Sequence, residues 1–281
     1  LLEARARLQS LPAGRWKSVK QADLDLAIVA CLGLYLEAAS ATSAASPGET
    51  IKLNVEAANP SPIRVRLKRV TFPGTGTDEP MDQELNGRVG LAKEIEFTLP
   101  ASLPDSQPYW LREKGGPGLF RVADPALIGL PESPPPVTAV FGLEVNGSSL
   151  SVERPVVYKW TDPVRGEVYR PFEVIPDVAV DLPDRVFVFP GPGSREVKVQ
   201  VRAGRAGVEG TLRLEVPAGW QASPPSREFR LAEKGAETTL KFEVRPPASA
   251  STGALRAVAE SGGRRFERGR EVDPFDRATR L

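Results

Sequence analysis

The chain has 281 residues and contains no histidine. Histidine is the commonest general acid or base and the commonest metal ligand, so its absence excludes Ser-His-Asp and Cys-His catalysis, H-E-x-x-H zinc sites and the non-haem iron triad. The single cysteine, Cys31, excludes a thiolate zinc site and an internal disulfide, and 37 Lys and Arg against 36 Asp and Glu leave no basic excess for nucleic acid or an anionic membrane. We therefore expect no catalytic residue, metal or cofactor in this chain.

Residues 1–45 are predicted to be a helical lead-in. The segment Leu1–Leu11 has a helical apolar pattern, and a second helix is predicted to begin at Ser18, where Gln21 completes a capping-box spacing. The second helix carries an apolar stripe too broad for two helices to bury alone, so we expect it to dock on the β part or on another domain. The docking candidates on this stripe are Leu24, Ile28, Leu32 and Tyr35.

The longest apolar run, Ala27–Leu36, is too short to span a bilayer, so no membrane span is expected. The sequence begins without methionine, partway into a helical pattern. This start favours a piece of a longer protein.

From Pro47 onward the apolar residues alternate with period two, and proline and glycine supply about a fifth of all residues. This pattern is typical of an all-β chain of short strands. We predict a mainly β fold: two tandem immunoglobulin-like β-sandwiches preceded by an N-terminal helical segment. The predicted boundaries are 46–180 and 181–270 for the two sandwiches, and 271–281 for a tail. Strands are predicted at 51–57, 65–70, 94–99, 138–145, 156–160, 168–174, 178–182, 185–189, 196–203, 211–216, 228–231, 238–244 and 254–260.

An internal repeat favours two related sandwiches. Pro-Gly precedes both Ile51–Ala57 and Val197–Ala203, and a further strand begins eight residues after each of these segments, at Val65 and at Thr211. The first sandwich is predicted to carry an inserted loop at 104–136, and a loop of that length is more often functional or interface-forming than a simple connection.

Glycine clusters and acidic clusters have plain structural explanations. None of the glycine clusters opens a helical pattern, so turns are favoured over phosphate cradles. A loop calcium site would need carboxylates at alternating positions, and no cluster has EF-hand spacing; calcium at Asp78/Glu79/Asp82 or at Asp181/Asp184 stays open as an alternative. The acidic clusters are Asp78/Glu79/Asp82, Asp181/Asp184, Asp273/Asp276 and Asp23/Asp25.

The aromatic residues are the stronger binding candidates, because flat aromatic faces stack on sugars. Tyr109 and Trp110, with Arg112 beside them, lie in the long loop, and Trp160 ends a strand. The competing interpretation is packing, particularly for Trp160 and Trp220, since a buried tryptophan at a sandwich corner is common. Both interpretations stay open at this point.

Three segments carry a resemblance to a known family. The sequence LAIVACLGL at 26–34, QPYWL at 107–111 and RGEVYRP at 165–171 resemble the C-terminal region of large bacterial PIG-L/LmbE-like deacetylases. Residues 185–269, through LEVPAGW at 214–220 and LKFEVRP at 240–246, are similar to the NEW3-type immunoglobulin-like module found beside carbohydrate-active catalytic domains.

The resemblance implies an accessory role. In that family a module with a His-Pro-Asp-Asp motif removes an N-acetyl group from an amino sugar with zinc, and no residue here matches that motif. The expected function is therefore a non-catalytic accessory region of a larger glycan N-deacetylase. Its expected partners are a catalytic domain of the same polypeptide, N-terminal to this region, and a glycan. The resemblance favours a periplasmic or extracellular location, and the composition is equally compatible with cytoplasm.

Two other classes remain as alternatives. The first is a structural or adhesive cell-surface spacer with no glycan binding. The second is a glycosidase that uses carboxylates alone, which would require two acids at a defined separation across a cleft.

Overall fold

The computed structural model of the chain describes residues 1–86, 90–272 and 279–280. The predicted fold class is confirmed: the chain is mainly β, and strands make up 46% of its residues and helices 12%. Two helices come first, α1 (Leu2–Ser10) and α2 (Arg15–Leu32). The strands that follow are β1 (Tyr35–Ser40), β2 (Ala44–Ala45), β3 (Thr50–Ala58), β4 (Val65–Phe72), β5 (Thr77–Leu85), β6 (Leu91–Thr98), β7 (Thr138–Val145), β8 (Ser148–Asp162), β9 (Gly166–Pro171), β10 (Glu173–Val174), β11 (Val178–Asp181), β12 (Arg195–Ala203), β13 (Val208–Glu215), β14 (Gln221–Ser223), β15 (Arg227–Leu231), β16 (Glu237–Arg245), β17 (Arg256–Ser261), β18 (Arg264–Phe266), β19 (Glu271–Val272) and β20 (Thr279–Arg280).

The chain divides into two compact units. The first unit consists of residues 1–43, 50–101 and 134–172, and the second of 44–49, 102–133 and 173–281. This division differs from the predicted boundaries, which placed the long loop in the first sandwich. The loop groups with the second unit because its start bonds there: the Ser106 N–H donates to the Val174 carbonyl at 2.8 Å, and the Val174 N–H donates to Ser106 Oγ at 2.9 Å.

The first unit is built around the long strand β8. Its sheet has the order β5-β4-β7-β8-β1-β3-β6, and β9 also pairs with β8. The first half of β8 pairs with β7, whereas its second half pairs with β9 and, in parallel, with β1. The Phe72 and Phe97 rings, from β4 and β6, lie 5.0 Å apart and are both buried. The two halves of the sheet therefore face each other across one core.

The helices pack on this first unit. Arg5 of α1 is buried, donating to Asp25 Oδ1 at 2.5 Å and to the Ser149 carbonyl at 2.6 Å, so one guanidinium links α1, α2 and β8. Ile28 and Leu32 are buried. These two predicted docking residues therefore serve the chain's own packing, which agrees with docking on the β part.

The helical lead-in ends earlier than predicted. α2 begins at Arg15 rather than at Ser18, whose hydroxyl lies within the helix and provides no cap. It ends at Gly33, which has φ +61 and ψ +28, the left-handed geometry that glycine commonly provides at a helix C-terminus. Tyr35, predicted to lie on the helical stripe, instead begins strand β1.

The second unit is a sandwich of two four-stranded sheets. Their orders are β11-β12-β16-β14 and β15-β13-β17-β18. Alternate residues of each strand form one core, as period two requires; its largest members are Leu212, Leu214, Phe229, Leu231, Phe242 and Phe266.

The predicted strand at 185–189 is wrong: Phe187 and Phe189 pack against the core, but the segment has no strand partner. The alternating apolar residues of this segment result from an extended backbone whose Phe187 and Phe189 side chains face the core, without hydrogen bonding to a neighbouring strand.

We expect Phe242→Ala to destabilise the chain by about 3–5 kcal/mol, because it removes a ring that is 1% exposed and leaves a cavity. The matched control is Phe120→Ala in the same unit, where the ring is 68% exposed and the change should stay within about 0.5 kcal/mol. Urea unfolding followed by circular dichroism measures both. Equal losses would show that Phe242 contributes no more to the core than the exposed Phe120 does.

Candidate functional site

The strongest candidate site is formed by residues 102–133, referred to below as the 102–133 loop. It contains two single-turn 3-10 helices, Tyr109–Leu111 and Pro125–Leu127, and an isolated bridge between Gly116 and Leu119. Gly115 is required here, because a Cβ at this position would lie 2.4 Å from the Leu119 carbonyl oxygen. The loop is therefore folded tightly at this turn without being part of a sheet.

Tyr109 holds the two ends of the loop together. Its N–H donates to Ser133 Oγ at 2.9 Å, and that hydroxyl donates to the Gln107 carbonyl at 3.0 Å. Its own hydroxyl donates to the Leu130 carbonyl at 3.0 Å. The ring is buried and meets the Trp110 ring edge-on, with centroids 4.8 Å apart. Tyr109 is therefore a support for the site and presents little surface to a ligand.

Trp110 lines an open groove of about 850 Å³ on this loop. Most of the other lining residues are apolar, and several are strongly exposed: Leu119 by 76%, Phe120 by 68% and Ile128 by 65%. Large apolar side chains gathered at a surface commonly mark a binding site. The full lining is Tyr109, Trp110, Gly116, Leu119, Phe120, Arg121, Val122, Ile128, Leu130 and Pro131. Arg112, predicted beside the aromatic pair, is exposed but does not line the groove.

A second aromatic cluster lies in the first unit, on the hairpin of β8 and β9. The Tyr158 and Trp160 rings are nearly parallel, at 17°, with centroids 5.3 Å apart, and the Arg170 guanidinium lies 5.9 Å from the Tyr158 centroid. Trp160 is partly buried in this stack. The structure therefore places the predicted candidate Trp160 among other side chains of its own hairpin, in a different unit from Tyr109 and Trp110.

The opposite face of the same hairpin carries a polar cluster. Lys159 Nζ donates to Glu37 Oε1 at 2.5 Å, lies 3.7 Å from Glu56 Oε1 and 6.0 Å from the Tyr169 centroid. The Tyr169 hydroxyl donates to Glu167 at 3.0 Å. Glu37 is buried, and Lys159 supplies the compensating charge that a buried carboxylate needs.

This cluster raises the pKa of two phenols. Burial raises the pKa of Tyr35 to about 12, and the hydrogen bond and charge of Glu37 act in the same direction. Burial likewise raises the pKa of Tyr169, helped by its hydrogen bonds to Tyr35 and Glu167. The pKa of Lys159 is also raised: desolvation lowers it, but the hydrogen bond to Glu37 and the charges of Glu37 and Glu56 outweigh this. At neutral pH the tyrosines are neutral and the lysine is charged, so none of the three is prepared to act as a base.

α2 presents an apolar face away from its buried side. Trp16 is 74% exposed, Leu26 57% and Val19 41%. Spacings of three and seven residues place all three on one side of a helix. Of the predicted docking stripe, Leu24 is half-buried and Tyr35 is exposed on β1. The uncovered face therefore consists of residues that the sequence analysis did not select.

Two of the predicted acidic clusters form ion pairs, and in one of them Asp23 and Asp25 pair with Lys20 and Arg5. Asp78, Glu79 and Asp82 pair with Arg69, Lys93 and Lys68 respectively, along β4, β5 and β6. The pair Asp273/Asp276 lies outside the described residues. Within the described ranges no group of three or more potential metal ligands of the His, Cys, Asp and Glu types is found. Neither described helix is both long and apolar enough to cross a membrane.

Comparison with known proteins identifies no family. No protein-family profile and no curated protein matches the chain. Among solved structures, a red sea bream transglutaminase covers 96% of the chain at 9% identity with a TM-score of 0.39, and the chain spans 34% of it. The secreted serine protease VesC from Vibrio cholerae covers 88% at 11% identity with a TM-score of 0.27. An E. coli alpha-2-macroglobulin covers 81% at 15% identity with a TM-score of 0.26. The chain spans 54% of the protease and 15% of the macroglobulin.

These likenesses are too weak to carry an argument about function. None of the three structures is named as a deacetylase, so the resemblance to PIG-L-type enzymes stays a prediction.

We expect Tyr109→Phe to destabilise the chain by about 0.5–1.5 kcal/mol, because the Leu130 carbonyl loses its donor while the ring remains. The 102–133 loop should then be cut faster in limited proteolysis with chymotrypsin, which would recognise Leu119 and Phe120. Tyr158→Phe, in the first unit, is the control and should leave the cleavage rate of the loop unchanged. An unchanged rate for Tyr109→Phe would contradict its supporting role.

Tyr35 should titrate with a midpoint near pH 12, against about 10 for an ordinary tyrosine. The difference in absorbance near 295 nm between the wild type and Tyr35→Phe isolates this group. Because the folded pKa exceeds the unfolded one, the contribution of Tyr35 to the free energy of unfolding is present below pH 10 and decreases as pH rises toward 12. A midpoint near 10 would show that neither burial nor Glu37 raises the pKa of Tyr35.

Proposed function

We propose that the chain is a non-catalytic accessory region of a larger zinc-dependent glycan N-deacetylase, and that it packs on the catalytic domain of the same polypeptide. The observation that carries this proposal is the exposed apolar face of α2, formed by Trp16, Val19 and Leu26. A cluster of exposed side chains of this size commonly marks an interaction surface. Covering it with another domain would contribute a favourable free energy of about 25 cal/mol for each Å² of apolar surface removed from water. The resemblance at 26–34, which includes Leu26, supplies the identity of the partner.

Contact with glycan is the second part of the proposal, and the first unit supports it better than the 102–133 loop does. Three of the four tyrosines of the chain lie on β1, β8 and β9, together with Trp160. Sugar binding uses aromatic faces with hydrogen-bonding groups beside them, and the polar face of this hairpin places Tyr169 beside Glu167 and Lys159. The groove of the 102–133 loop offers few polar groups for hydroxyls. The proposed location follows the resemblance and is periplasmic or extracellular.

The alternative is a structural or adhesive spacer with no glycan binding. It requires neither an occupied α2 face nor a ligand at the hairpin. Isothermal titration of the chain with an N-acetylglucosamine oligomer distinguishes the two: saturable binding that Tyr169→Ala weakens supports glycan contact, and no heat of binding supports the spacer.

The docking proposal predicts a specific loss on changing α2. We expect Trp16→Asp/Leu26→Asp to weaken binding of the separately expressed catalytic domain more than tenfold, with the free chain still folded by circular dichroism. Val164→Asp is the matched control, since Val164 is 92% exposed in the same unit and far along the chain from α2. The gene that encodes the polypeptide should first be sequenced, because a polypeptide without a His-Pro-Asp-Asp motif would overturn the proposal. Equal binding by the α2 double variant and by Val164→Asp would also overturn it.

A further inference from the structure

We propose that the groove of the 102–133 loop binds an amphipathic anion, namely an acyl chain that carries one carboxylate. This site is separate from the α2 face and the β8–β9 hairpin, so the inference does not rest on the proposed function. It is carried by the volume of the groove, the apolar character of its lining and the charge of one residue.

The volume and the apolar lining fit the hydrophobic part of such a ligand. A groove of about 850 Å³ lies within the range of roughly 300–1,000 Å³ typical of sites for small organic ligands. Leu119 and Phe120 precede the Pro125–Leu127 turn, Ile128 follows it, and all three remain strongly exposed. An inserted acyl chain would bury these side chains, which the folded chain itself leaves in water.

The positive charge of Arg121 at the groove favours a ligand that carries a negative charge. Arg121 is the only charged residue among those that line the groove. Arg121 is exposed and forms no ion pair with any carboxylate of the described residues, so its guanidinium is available to a ligand carboxylate. Arginine offers two parallel N–H donors to a carboxylate, which adds directional specificity to the charge attraction. A neutral apolar ligand would leave this charge unused.

Trp110 lines the same groove and carries a hydrogen-bond donor. Its ring is partly buried against Tyr109, and its indole N–H has no hydrogen-bond partner among residues 1–86, 90–272 and 279–280. An indole N–H is a donor only, so it also favours an acceptor on the ligand. One cation, one free donor and an apolar wall together describe a site for an amphipathic anion better than a site for a sugar, which needs several acceptors and donors.

The experiment is isothermal titration of the whole chain with decanoate, below its micellar concentration. Saturable 1:1 binding is expected, and Arg121→Gln should weaken it about 10–100-fold, as loss of a charge-assisted hydrogen bond would. Arg112→Gln is the matched control: it removes the same charge from the same loop outside the groove, and should change the affinity less than twofold. Arg121→Lys should recover part of the loss, and decan-1-ol should bind about tenfold more weakly than decanoate.

Three outcomes would overturn the proposal. The first is the absence of saturable binding of decanoate. The second is an equal effect of Arg121→Gln and Arg112→Gln, which would mean general charge attraction. The third is binding to phosphatidylglycerol vesicles without binding of monomeric decanoate, which would assign the exposed Leu119 and Phe120 to a lipid surface. Phe120→Ala, which the fold should tolerate, separates the groove from the rest of the surface: decanoate affinity should fall at least fivefold.

Discussion

The hydrogen bonds of Ser133 and Tyr109 hold the 102–133 loop in one shape, and the groove depends on that shape. The loop has no strand of its own beyond one bridge, so its backbone groups cannot be satisfied by sheet pairing. Ser133 joins the Tyr109 N–H to the Gln107 carbonyl, and the Tyr109 hydroxyl reaches the Leu130 carbonyl. Because the two ends are tied to each other, the apolar residues between them stay at the surface without collapsing into a core.

A different constraint organises the first unit. Burying Glu37 requires a positive charge at short distance, and Lys159 of β8 supplies it. The pair lies beside the parallel pairing of β1 with β8. A one-residue slip of β8 would turn Lys159 to the other face of the sheet and leave Glu37 without compensation. The ion pair therefore specifies the register of β1 against β8, while the raised pKa values of Tyr35 and Tyr169 keep their phenols neutral beside it.

Period-two alternation predicted the strands well where one face is buried, as at Thr138–Val145, whose observed bounds agree with the prediction. The same pattern did not predict strands that are not buried on one face and exposed on the other. β1 is buried on both faces after its first residue, so Tyr35–Ser40 shows no alternation and was assigned to a helix. Gly33 was the signal for the helix end. β5 was missed because its sequence, TDEPMDQEL, is charged and contains proline, features that an edge strand tolerates.

The candidate site was predictable only in part for a related reason. Tyr109 and Trp110 stood out as aromatic residues in a long loop, but sequence could not show that Tyr109 points inward to Leu130. Leu119, Phe120 and Ile128 lie in a segment rich in glycine and proline with no helical or strand period, so no pattern linked them. Their proximity results from loop closure, which depends on side-chain hydrogen bonds and not on local propensity.

The apolar residues of this chain fall into two groups, one buried in a core and one exposed at the surface, and they differ in what their removal would cost the stability of the fold. Residues such as Phe242 are covered within their own unit, and their contribution is to the stability of the fold. Trp16, Leu26, Leu119 and Phe120 remain exposed, so removing them costs the isolated chain little. Exposed side chains of this size also promote non-specific association, which is a disadvantage unless something covers them. The α2 face and the groove are therefore the exposed apolar surfaces to which we assign proposed binding roles.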